Sequence, residues 1–212
     1  MQYPFGTERN RKGASTMESR KSKITLYDIV AIGLMAAFVF IATFFFKIKI
    51  PTPGGSTMVK LGNGICLLCG TLLGGWRGGL AAGIGCALFD LTDPEYAPTA
   101  YITFIRYFIM AGLCGFIAHW HGANGRKTGR NLAATIIGAF TYSGMYIGEK
   151  IIGMMIVGSA FVPAVVGNAA SIISSLTNAV VGVIVAMLLT PALRKAFQST
   201  AFARRMEHSA SK

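Results

Sequence analysis

Residues 61–91, LGNGICLLCGTLLGGWRGGLAAGIGCALFDL, decide how this chain folds. The stretch is apolar for 31 residues but is interrupted by Gly74-Gly75-Trp76-Arg77-Gly78-Gly79. As one helix it would measure roughly 46 Å at 1.5 Å per residue, too long for an ordinary bilayer unless steeply tilted. As a hairpin it gives two short spans. On either side lie further apolar runs, at about Asp28 to Phe46, Ala100 to Ala118, Leu132 to Gly158 and Ala164 to Thr190. Each is about as long as a helix needs to cross a hydrocarbon core of roughly 30 Å.

Composition agrees. The chain is 53% hydrophobic and 13% charged, against roughly 25% charged in a soluble domain, which disfavours a water-soluble enzyme. A net charge of +12 could suggest nucleic acid. The basic residues, however, are spread among tails and loops of an apolar chain, which suits anionic lipid headgroups better, so no nucleic-acid partner is expected.

Basic residues also choose between five spans and six. With six spans and the N-terminus inside, cytoplasmic segments hold fifteen Lys and Arg while outer loops hold only Lys47, Lys49 and Lys60. A single span over 61–91 would put eleven outside and six inside, against the positive-inside rule. The expected fold is therefore an all-α integral membrane protein with six transmembrane helices and both termini cytoplasmic. Residues 1–23 are expected to form a disordered basic cytoplasmic tail, 24–195 the membrane domain, and 196–212 a second basic cytoplasmic tail. The first 27 residues are polar and basic and lack a signal-peptide pattern; Met17 is a second candidate start. The loop 51–60, with two prolines and two glycines, is incompatible with regular helix. Residues 92–99 form a turn-rich acidic loop, and Asp28 is placed as a helix N-cap.

Cys66, Cys69, Cys86 and Cys114 all fall in apolar segments and are expected to be small buried hydrophobes. The Cys66-x-x-Cys69 pair has no further ligand pair at zinc spacing. The chain also has no P-loop, H-E-x-x-H or G-x-S-x-G. No catalytic residue, metal or cofactor is assigned.

Three ionisable residues fall deep within predicted spans: Arg106, Glu149 and Lys150. Each would be costly facing lipid alone and needs a partner or a wet cavity. Helical rise puts Arg106 roughly 9 Å and Glu149 about 14 Å below the outer ends of their spans, in the same half of the membrane. Tyr142, Tyr146, Glu149 and Gly153 share one face of span five, from which Lys150 points about 100° away. Asn168, Ser171, Ser175 and Asn178 form a second stripe on span six, with Asn63 and Asp90 near the outer ends of spans two and three. Two readings stand: a structural ion pair with interhelical hydrogen bonds, or an outward-opening pocket for a small, flat, hydrogen-bonding ligand. On span one, Gly33 and Ala37 lie one turn apart, suited either to packing within the bundle or to docking another subunit.

The runs Pro51-Thr52-Pro53-Gly54-Gly55-Ser56-Thr57-Met58-Val59-Lys60-Leu61-Gly62-Asn63, Leu72-Leu73-Gly74-Gly75-Trp76-Arg77-Gly78-Gly79-Leu80 and Gly83-Ile84-Gly85-Cys86-Ala87-Leu88-Phe89-Asp90-Leu91 resemble the substrate-binding S components of energy-coupling factor (ECF) vitamin transporters, over about 24–195. The resemblance implies a six-helix protein that captures a B-vitamin or vitamin precursor from outside. Its implied partners are a transmembrane coupling subunit and two cytoplasmic ATPase subunits, which power import. It implies substrate contacts at Lys60, Asn63, Arg106, Tyr146, Glu149, Lys150 and Asn168, to which the span-five stripe adds Tyr142. Gly33 and Ala37 stand where the family's small-residue motif docks the coupling subunit, with Gly at a position usually Ala. The residue types lean toward pyridoxine or a thiamine precursor as cargo. The alternatives are a self-sufficient small carrier or channel and a membrane-embedded enzyme.

Overall fold

Thr25 opens the first helix. Its hydroxyl accepts the Asp28 N–H at 3.4 Å, and the Asp28 carboxylate accepts the Thr25 N–H at 3.0 Å, closing a capping box on helix α1 (Leu26–Phe45). Thr25, rather than Asp28, is thus the N-cap. Asp28 instead sits in the first turn, where it also meets Arg77 at 3.1 Å. The computed structural model describes residues 25–52, 55–122 and 125–198. The expected tail 1–23 and residues 199–212 of the expected C-terminal tail lie outside them.

After α1 comes an antiparallel pair, β1 (Lys47–Thr52) and β2 (Gly55–Lys60), with Lys47 opposite Lys60 and Pro51 opposite Ser56. Residues 51–60 were expected as a loop, so this hairpin corrects that reading within an otherwise helical fold. Prolines exclude helix, but a strand tolerates them beside a turn, and Lys47-Ile48-Lys49-Ile50 already alternates with period two.

The apolar stretch that follows does break, into α2 (Gly62–Leu73) and α3 (Gly75–Leu91). Gly74 makes the break at φ 84°, a backbone region where a side chain is strained. Helix α2 is buried on almost every side, and its Cys66, Leu67, Leu68 and Cys69 form the centre of the core with Tyr107, Met110, Ala111 and Cys114 of α4 (Ala100–His119). All four cysteines are buried free thiols. Helix α3 lies between α1 and α4, close enough that a Cβ on Gly85 would come within 2.6 Å of the Ala36 carbonyl oxygen. Small residues set that approach, as they do where lipid removes the hydrophobic drive between helices.

Helix α5 (Thr128–Ile156) packs on α4 and α7. The run 164–190, expected as one span, is divided into α6 (Phe161–Gly167) and α7 (Ala169–Gln198). Asn168 caps α6 at the division, its side-chain amide and its backbone N–H both donating to the Ala164 carbonyl, at 2.9 and 3.3 Å. Among the described residues, three helical segments are long and apolar enough to cross a membrane: Leu26–Phe45, Ala97–His119 and Ala169–Lys195. Helix α2, at 12 residues, spans only about 18 Å.

Candidate functional site

The site begins with the attachment of β2 to α7. The Asn178 amide accepts the Lys60 N–H at 2.8 Å and donates to the Met58 carbonyl at 2.7 Å, and Ser174 adds a hydroxyl to the same carbonyl at 3.1 Å. These bonds hold the hairpin over one end of the bundle, and Lys60 is buried. The Lys60 ammonium then lies 3.7 Å from the Asp90 carboxylate at the end of α3 and within 5.1–6.0 Å of the rings of Phe89, Tyr107 and Tyr96.

Opposite, α4 presents Thr103, Arg106 and Tyr107. The Arg106 Nη2 donates to Thr103 at 3.1 Å, and Nη1 lies 2.8 Å from Glu149 on α5. The guanidinium also faces the rings of Tyr146 and Tyr142, at 5.3 and 5.9 Å. Tyr142 packs on Tyr107 at 4.7 Å and stacks with Tyr146 at 6.2 Å. Asn63 accepts the Tyr107 hydroxyl at 2.7 Å from behind, fixing that ring.

Between these walls is a small cavity of about 20 Å³, bordered by Lys60, Asp90, Tyr96, Arg106, Tyr107, Tyr142, Tyr146 and Ser175. Its border carries buried polar atoms without a hydrogen-bond partner: Asp90 Oδ1, Arg106 Nε and Nη1, and Ser175 Oγ. Glu149 Oε2 is also unmatched, because its close approach to Arg106 is not aligned as a hydrogen bond. Buried polar atoms are rarely left unpaired in folded proteins, so this cluster of donors and acceptors around one void points to a bound solute or water.

A latch covers the cavity. Tyr96, from the loop between α3 and α4, donates its hydroxyl to the Ser56 carbonyl at 2.7 Å, and the Ser56 hydroxyl donates to Glu95 at 2.7 Å. Lys49 meets Glu95 at 2.8 Å and Asp93 at 3.1 Å. Hydrogen bonds to Glu95 and then Asp93 raise the Lys49 pKa above its ordinary value. The Lys49 and Ser56 hydrogen bonds hold Glu95 below the usual carboxylate range. Asp93 is lowered too: slight burial acts in the opposite direction, and the Lys49 hydrogen bond with the Glu95 N–H outweighs it. Burial raises the Tyr96 phenol.

Of the residues expected in the site, Lys60, Arg106, Tyr142 and Tyr146 border the cavity. Asn63 and Glu149 stand one step behind it, as partners of Tyr107 and Arg106. Lys150 lies outside the lining, with its ammonium 5.8 Å from the Tyr146 ring. Asn168 is also outside, its amide directed at Ala164 and, at 2.8 Å, at the Met154 sulfur. Thr103 and Tyr107 were missed, although with Arg106 and Met110 they repeat at helical spacing on one face of α4. Tyr96 and Met58 sit on a loop and a strand, where helical periodicity gives no signal.

Gly33 and Ala37 are exposed on the outer face of α1, and a Cβ on Gly33 would meet nothing within 4 Å. They do not pack inside this bundle. Large apolar side chains flank them on the same face, Leu34, Phe38 and Ile41 among them.

Residues 23–195 match the model of a family described as "ECF-type riboflavin transporter, S component". No curated protein matches the chain.

Proposed function

Because the chain belongs to the ECF-type riboflavin transporter S component family, we propose that its outer cavity captures one molecule of a flat, hydrogen-bonding vitamin for import powered by partner subunits. The observation that carries this reading is the void ringed by tyrosines and by unmatched buried donors and acceptors. Rings give stacking surface, and the few polar atoms fix orientation, the usual division of labour in a small-molecule site.

The family is one of transporter components and not of enzymes. Its description names riboflavin, so the lean toward pyridoxine or a thiamine precursor has no support from it, and riboflavin becomes the first candidate cargo. In this reading Arg106, Lys60 and Tyr142 face the ligand, while Asn63 and Glu149 orient the groups that do. Six spans with both ends in the cytoplasm place the cavity and its latch outside, and the exposed Gly33–Ala37 face of α1 docks the transmembrane coupling subunit, which joins two ATPase subunits.

Purified protein in detergent should bind riboflavin saturably, one molecule per chain, with the flavin fluorescence quenched by stacking on tyrosine. Failure to bind riboflavin, pyridoxine and hydroxymethylpyrimidine alike would overturn the proposal. So would uptake of any of them into liposomes holding this chain alone, since that would make it a self-sufficient carrier.

A further inference from the structure

The charges at this cavity are already matched. Lys60 and Asp90 border it as one buried pair, 3.7 Å apart. Arg106 forms a second pair with Glu149, at 2.8 Å. At the rim, Lys49 is shared between Asp93 and Glu95. Lys47 and Lys150 lie outside the lining, against the rings of Phe89 at 4.5 Å and Tyr146 at 5.8 Å.

We propose, on the reading that this cavity holds a vitamin, that the two internal ion pairs make Asp90 and Glu149 specificity residues that admit the uncharged vitamin and reject its phosphate ester. A phosphate monoester brings roughly −1.5 to −2 charges at pH 7. A buried charge needs a countercharge, and a site whose cations are both satisfied has none to give. Arg106 would otherwise be well suited to bind phosphate through two parallel N–H groups. Here Glu149 occupies the side of Nη1, and Thr103 takes Nη2. The atoms left without a hydrogen-bond partner are Arg106 Nε and Nη1 as donors, on a guanidinium whose charge Glu149 balances, Asp90 Oδ1 as an acceptor and the Ser175 hydroxyl as either. Donors and acceptors together, with no net charge among them, match ring carbonyls, ring nitrogens and hydroxyls, not a dianion.

The test compares the dissociation constants of riboflavin and riboflavin 5′-phosphate on the full chain in detergent. The same comparison is made for pyridoxine and hydroxymethylpyrimidine with their phosphates. Because the readout is a ratio within one protein, a general loss of affinity cancels. The wild type should bind the free vitamin at least on the order of tenfold more tightly than its phosphate. Glu149→Gln and Asp90→Asn, at opposite sides of the cavity, each release one cation and should narrow that ratio by roughly tenfold. Glu149 is 34% exposed at its side chain, so Glu149→Gln is the variant better placed to fold. The double variant Arg106→Gln/Glu149→Gln restores neutrality and should return the ratio toward the wild-type value. A wild type that takes the phosphate as tightly as the vitamin, or a ratio unmoved in both single variants, overturns the inference and leaves vitamin capture standing. A wild type that binds none of the three vitamins overturns both.

Discussion

Asn178 fastens the hairpin to α7 with both ends of its amide, so replacing it with a residue of similar volume isolates what that attachment contributes. In Asn178→Leu the Lys60 N–H loses its 2.8 Å acceptor, while the Met58 carbonyl keeps only Ser174. One lost hydrogen bond costs about 1 kcal/mol net, and a buried N–H left without a partner about 1–3 kcal/mol more. The sum, about 2–4 kcal/mol, falls on the hairpin that carries Lys60 over the cavity. Expressed wholly in ligand affinity, it is a weakening of roughly 30- to 900-fold. Thr177→Ala is the control, because Thr177 is exposed and bonds only back to its own helix, to the Ile173 carbonyl. Fluorescence titration with riboflavin, beside circular dichroism to confirm retained helix, reads the effect. An Asn178→Leu protein that keeps its helix and binds within threefold of wild type would refute the claim that α7 positions the hairpin for binding.

Opening of the latch should depend on pH in a defined direction. Asp93 and Glu95 are held below ordinary carboxylate values, so their contribution is complete above those values and is lost as pH falls through the lower, folded ones, below about 4. Lys49 is raised, so its contribution is complete below the ordinary lysine value and is lost only as pH rises through its folded value, above about 10. Hydrogen exchange in residues 92–99 should therefore be slow and level, after correction for intrinsic rate, from about pH 5 to 9, and faster below about 4. An unchanged opening rate at low pH, or equal rates in Lys49→Ala and wild type, would disprove the latch. On α1, Gly33→Leu and Ala37→Leu project into open space. They should leave vitamin affinity within twofold while abolishing co-purification with the coupling subunit, and normal co-purification would remove the docking role. Gly74→Val forces a β-branched residue to φ 84° and should lower stability by about 1–2 kcal/mol or more. An unchanged thermal midpoint would show that the turn between α2 and α3 relaxes freely.

Features with a strong local cause were legible in the sequence. The GGWRGG interruption in residues 61–91 marks the break that the structure places at Gly74. Depth along the helices put Arg106 and Glu149 in the same half of the membrane, and they meet at 2.8 Å beside a cavity, so the ion pair and the pocket are not exclusive readings. Helical periodicity also found the tyrosines of α5. It could not find Tyr96, whose place over the cavity follows from hydrogen bonds between a loop and a strand 40 residues apart in sequence. The hairpin was obscured because two prolines and two glycines dominate the local signal, while its alternating strand of four residues is short. Asn168 looked like part of a polar stripe, because nothing in its apolar surroundings marks it as the residue that ends α6.

A native mass spectrum of the protein after incubation with riboflavin, pyridoxine and hydroxymethylpyrimidine, set beside that of Ser175→Phe, would probe the cavity most directly. Ser175 is buried against the void with its hydroxyl unmatched, so a phenyl ring there fills the space a solute needs. Wild type should carry one vitamin per chain, and Ser175→Phe, still folded, should carry none. A vitamin retained by Ser175→Phe, or absent from wild type, would contradict the assignment of this cavity as the place where cargo is held.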